Sequence, residues 1–216
     1  MTVLDRFKTK LHALRSWFEE NHPPSYGIEH GFILAEPLTE ATIQQIEGQF
    51  GVTLPPDYRA FLKRFGVGRV GPGNYFYHVE EGLNAASFQP FPLARPYLGT
   101  CSPEHNQLTK DAQWEDYGRL LKEWEAIPKD RGVLQLSDYG CAIYGVLVLN
   151  GLFCGKVWIL SGDAAYYGPF GGAEALHDEC APTEWEPTDA PKDYSFFEWY
   201  ESWLDGWLKI AAILPR

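Results

Sequence analysis

The chain has 216 residues, 45% hydrophobic and 22% charged, enough to bury one substantial core and too apolar for a disordered polymer. With 29 acids against 18 bases, its formal charge of −11 repels phosphate backbones and argues against direct binding of nucleic acid. No uncharged apolar run reaches the roughly 18 residues that a membrane span needs, and the first helical pattern is interrupted by Arg6, Lys8, Lys10 and Arg15, unlike a secretory signal. A cytoplasmic protein is expected, without a membrane partner. Cys101, Cys141, Cys154 and Cys180 are too few and too irregularly spaced for a secreted disulfide framework, so reduced thiols are expected.

In chain order, Leu4, Phe7, Leu11, Leu14 and Phe18 predict an amphipathic helix that ends at "NHPPSYG". Ile43, Ile46 and Phe50 predict a second helix, with Thr39 as N-cap and Gly51 as its left-handed stop. A third follows at once: Pro55 and Pro56 suit its first turn, Tyr58, Phe61, Leu62 and Phe65 share one face, and Gly66 suits its C-cap. Gly66, Gly68 and Gly71 spell a literal G-x-G-x-x-G, the spacing of a dinucleotide-binding turn. That motif needs a strand before it and a helix N-terminus after it. Here a helix precedes, and Pro72, Gly73 and the aromatic "NYFYHV" follow, which favours a strand. The order is reversed, so no nucleotide cofactor is expected.

Residues 88 to 98 read as strand or extended loop, broken by Pro90, Pro92 and Pro96. A helix is predicted from Asp111 to Ile127, striped by Trp114, Tyr117, Leu121 and Trp124. The nearly continuous apolar run "CAIYGVLVLNG" and the returning "LFCGKVWIL" predict two central strands, joined by a tight hairpin at Asn150-Gly151. Residues 161 to 193, rich in glycine and proline, read as one long loop. The last helix opens with a capping box, Ser195 and Glu198, and is striped by Tyr200, Trp203, Leu204, Trp207 and Leu208. The expected architecture is α+β, a twisted, largely antiparallel sheet of about five or six strands with helices mainly on one face. Residues 1–216 are expected to form one domain, with an N-terminal helix at about 3–20 and a helical elaboration at about 101–131.

The residues Ile46, Glu47, Phe50, Gly51, Leu54, Pro55, Asp57, Tyr58, Phe61, Leu62 and Gly66 resemble the N-terminal signature of the SMI1/KNR4 family, also called the SUKH superfamily. The stretches 134–160 and 196–208 are similar to that family's hairpin and closing helix. The resemblance implies a non-catalytic binding module. In bacteria it implies an immunity protein that binds and neutralises a cognate polymorphic toxin, often a nuclease. Two alternatives are a regulatory scaffold in cell-wall synthesis signalling and a metal-dependent enzyme.

No G-x-S-x-G or comparable nucleophile motif occurs, and Asp138 and Asp163, at strand ends, suit turn roles better than catalysis. Cys101 with His105 and His177 with Cys180 could in principle complete a tetrahedral site, but neither half has a common zinc-module spacing, and no metal is expected. Trp114, Trp124, Trp158, Trp199, Trp203 and Trp207 are expected in the core. Residues 174 to 205 hold ten acids against one base, Lys192, and so carry −9 of the net −11. This asymmetry suggests a basic partner, such as a toxin domain, steered to a surface made of Asp163, Tyr166, Tyr167, Phe170, Glu184, Trp185, Glu186 and Asp189, with Trp185 as the apolar anchor. The alternative for Tyr166, Tyr167 and Phe170 is a satellite cluster folded under the loop.

Overall fold

The computed structural model describes residues 1–21, 32, 34–66, 69–162, 165–170 and 193–213. Helix α1 (Val3–Asn21) buries Phe7, Leu11 and Leu14, three of the residues whose spacing predicts it. Helix α2 (Glu40–Phe50) starts where the Thr39 hydroxyl accepts the Thr42 N–H at 3.1 Å and stops at Gly51, whose φ is +65°. Helix α3 (Pro56–Phe65) turns Tyr58, Phe61, Leu62 and Phe65 inward. Glu47 joins the two, since one of its carboxylate oxygens accepts the Leu54 N–H at 2.7 Å while the other pairs with Arg59, which also holds Glu40. Signature residues of this stretch are therefore explained by helix packing.

Gly66 and Gly71 are packing residues too. Gly66 has a φ of +72°, and a Cβ there would lie 2.1 Å from the Glu36 carbonyl oxygen. A Cβ at Gly71 would strike the Phe76 ring at 2.4 Å. Strand β1 (Tyr75–Phe76) follows, in the helix-glycine-strand order read from the sequence.

Short helices α4 (Val79–Gly82) and α5 (Pro103–Asn106) precede α6 (Lys110–Ala126). Then come β2 (Val133–Gly140), β3 (Ile143–Val148), β4 (Val157–Ser161), β5 (Tyr166–Pro169) and helix α7 (Phe196–Ile213). Among the described residues, five strands form one antiparallel sheet in the order β1-β2-β3-β4-β5, which leaves β3 central. One face packs against α1, α2, α3 and α7 through Leu134, Leu136, Leu147 and Val157. The other meets α6 and the preceding loop through Val146, Val148, Trp158 and Tyr167. Full burial of each such large side chain contributes about 1.5–3 kcal/mol by apolar area.

The structure corrects several local expectations. The tight turn of the sheet lies between β2 and β3, where Cys141 and Ala142 adopt φ of +50° and +57°, as a type I′ turn requires. The Asn150-Gly151 site belongs instead to a longer connection, because the Asn150 amide is recruited by the 89–91 segment: it accepts the Phe91 N–H at 2.8 Å and donates to the Gln89 carbonyl at 2.9 Å. Residues 161–193 are not loop throughout, since 166–169 form β5 against Trp158 to Ser161. Trp114 is not core: α6 is buried only in its second half, at Leu120 and Trp124. Trp203 and Trp207 are half-buried, and Trp207 packs edge-on against Phe32 with ring centroids 6.2 Å apart.

Candidate protein-binding surface

Helix α6 is held by its C-terminal half. The Tyr97 hydroxyl donates to the Leu120 carbonyl at 2.8 Å, and Trp124 lies between Tyr97, Tyr167 and the Lys129 ammonium, which sits 4.4 Å from its ring centre. The N-terminal half starts at the Thr109 cap and carries Trp114, which is 76% exposed. Tyr117 stands at 89° to it with ring centroids 6.5 Å apart. Together with His105, Lys110 and Gln113 they line an open groove of about 580 Å³.

The floor of this groove is tied down. His105 is 8% exposed, and its Nδ1 lies 2.8 Å from Asp116, whose other oxygen is held by Arg119. The His105 N–H donates to the Ser102 hydroxyl at 3.1 Å, and Gln113 donates to the His105 carbonyl at 3.3 Å. Arg119 also pairs with Glu123 at 2.7 Å. Glu104, Asp111 and Glu115, sequence neighbours of the lining residues, are exposed and have no ion pair among the described residues. A shallow, open aromatic groove on a hydrogen-bonded base suits recognition of a protein segment better than enclosure of a small molecule.

Asp138, Cys101 and His105 each have a structural setting. Asp138 accepts the Gly140 N–H at 2.7 Å and shapes the β2–β3 turn. Burial pushes the Cys101 thiol up to about 11, which leaves it protonated and a poor metal ligand, while His105 spends one ring nitrogen on Asp116. No cluster of three metal-capable side chains occurs among the described residues, and His177 and Cys180 lie outside them.

The surface read from the sequence is only partly within the described residues. Asp163, Glu184, Trp185, Glu186 and Asp189 lie outside. Tyr166 and Tyr167 are corrected: pairing with β4 places them in an edge strand covered on both faces, and they are 1% and 0% exposed. Tyr166 donates to the Pro169 carbonyl at 2.9 Å, Tyr167 packs among Phe91, Trp124 and Trp158, and burial pushes both hydroxyls well above their ordinary range. Phe170 is half-buried against Tyr139 and Trp199. Trp114 was missed as a surface residue because its helical spacing matches the stripe, although Asp111, Gln113 and Glu115 flanking it signalled solvent.

The acidic cluster is also partly spoken for. Glu201 receives a two-point contact from Arg6, both at 2.8 Å, and one from Lys10 at 2.9 Å, which together hold its carboxyl down at about 2. Asp205 pairs with Lys10, Asp193 with Lys156, and Glu198 caps α7 on the Ser195 N–H at 2.8 Å. Asp57, raised by its burial, accepts the Tyr58 N–H at 2.9 Å and the Phe197 N–H at 3.4 Å, so it ties α3 to α7.

Among the described residues, no helix is long and apolar enough to cross a membrane. Searches of the curated proteins and of the solved structures return no match to this chain. The model of the SMI1 / KNR4 family (SUKH-1) matches residues 37–167, which run from the approach to α2 through α6 and β4 to the start of β5. The chain belongs to the SMI1 / KNR4 family (SUKH-1).

Proposed function

We propose that this protein is a non-catalytic, cytoplasmic binding module that captures and neutralises a cognate polymorphic toxin, in the manner of a bacterial immunity protein. The observation that carries the reading is the family match over residues 37–167. The formal charge of −11 supports it, since a nuclease toxin presents a basic face and is steered toward an acidic inhibitor. Inhibition by occlusion needs no cofactor and no catalytic group on this chain. The partner surface we propose includes Asp163, Phe170, Glu184, Trp185, Glu186 and Asp189. The test is co-expression with the toxin domain encoded beside this gene: a stable complex and restored growth are expected. A toxic neighbour that kills equally with and without this chain, and does not co-purify with it, refutes the proposal.

A further inference from the structure

Trp114 has a setting that the fold does not require. Its helix is anchored by Leu120 and Trp124, yet it holds a large apolar ring 76% in solvent, beside a groove of about 580 Å³. We infer that the corner between Trp114 and Tyr117 receives an arginine side chain from a basic segment of a protein partner. This deepens the binding-module reading and rests on it.

Three observations favour that occupant. The two ring planes meet at 89°, and aromatic faces attract a guanidinium more than any neutral group of similar size. The exposed carboxylates of Glu104, Asp111 and Glu115, each next in sequence to a lining residue, carry no ion pair among the described residues, whereas Arg119 is already neutralised by Asp116 and Glu123. Lys110 is the cation among the lining residues, and the three carboxylates outnumber it. An exposed tryptophan among near-neutral contacts is the residue type that most often anchors such an interface.

The experiment titrates the full isotope-labelled chain with an oligoarginine peptide and follows its tryptophan indole signals, with an oligoglutamate peptide as control. The Trp114 signal, identified from a Trp114→Phe variant, is expected to shift saturably with oligoarginine alone. Trp114→Ala should weaken binding about tenfold, the Asp111→Asn/Glu115→Gln pair should weaken it and flatten its salt dependence, and Lys110→Glu should tighten it. Retained dispersion of the amide spectrum certifies that each variant is folded. A Trp114 signal that stays still while other signals move, or no movement anywhere, overturns the groove but leaves the toxin reading to its own co-expression test. Weaker binding by Lys110→Glu overturns the basic occupant in favour of an acidic one. If a toxin complex forms with unchanged affinity in Trp114→Ala and the carboxylate pair, the toxin reading stands and this groove is not its interface.

Discussion

The closing helix is tested most sharply by removing one oxygen atom. Tyr200 is fully buried, and its ring sits among Phe7, Phe61, Phe76 and Phe196, with the Phe61 centroid 4.8 Å away. Its hydroxyl donates to the Val70 carbonyl at 2.8 Å, so α7 pins the glycine-rich stretch that follows α3. Tyr200→Phe keeps the ring and strands a buried carbonyl, which costs about 1–3 kcal/mol rather than the smaller net value of a hydrogen bond removed with both partners. For a chain of this size, a loss of about 2 kcal/mol lowers the melting temperature by about 4–8 °C. Urea unfolding followed by tryptophan fluorescence should show a lower midpoint with an unchanged slope, because no extra surface is exposed. Tyr200→Ala, which also empties the ring's volume, should lose about 3–5 kcal/mol. A Tyr200→Phe loss below about 0.5 kcal/mol, within the range of ordinary surface changes, would mean that the Val70 carbonyl does not depend on this hydroxyl.

Three further outcomes follow from the same geometry. Glu201 is held at about 2 against an ordinary 4.5, so its contribution is complete above the unfolded value and fades as pH falls through the folded one; Glu201→Gln should lose about 1 kcal/mol at neutral pH and converge on the parent near pH 2, as read from urea midpoints across that range. Gly66→Ala places a Cβ 2.1 Å from a carbonyl oxygen at a φ of +72°, and should cost more than the ~1–2 kcal/mol of the left-handed conformation alone; a melting temperature equal to the parent's would contradict the backbone described here. Trp114→Ala should leave stability within about 0.5 kcal/mol of the parent, and a larger loss by urea unfolding would show that the ring is a structural element after all.

Elements whose signals are local were legible in the sequence. Thr39, Gly51 and the Ser195–Glu198 capping box act within one turn of chain, and each makes the contact its residue type suggests. The order of helix, glycines and strand around Gly66 was readable for the same reason. Strand β5 was not, because Tyr-Tyr-Gly-Pro becomes a strand only by pairing with β4 and by the bridge between Tyr97 and Tyr167. The Asn150 turn failed in the same way: a hairpin dipeptide lost its local role once its amide bonded the chain some sixty positions earlier, at Gln89 and Phe91. Helical periodicity could not separate Trp114 from Trp124, since spacing defines a face but not how much of the helix's length rests on the sheet.

The charge argument changes most when contacts replace composition. Ten acids against one base in residues 174 to 205 suggest a strongly self-repelling surface, but Asp193, Glu198, Glu201 and Asp205 each meet a cation or a helix N-terminus supplied by the fold. Glu201 and Asp205 tie α7 to α1, Glu198 caps α7, and Asp193 pairs with Lys156, which leaves less field to be relieved by a partner. By contrast, Glu104 and Asp111 meet only the first turns of α5 and α6, Glu115 meets no helix end, and no ion pair among the described residues neutralises any of the three. Binding energy depends on which charges remain unsatisfied beside an apolar anchor, and by that criterion the α5–α6 segment we propose is weighed beside the acidic segment despite its smaller share of the total charge.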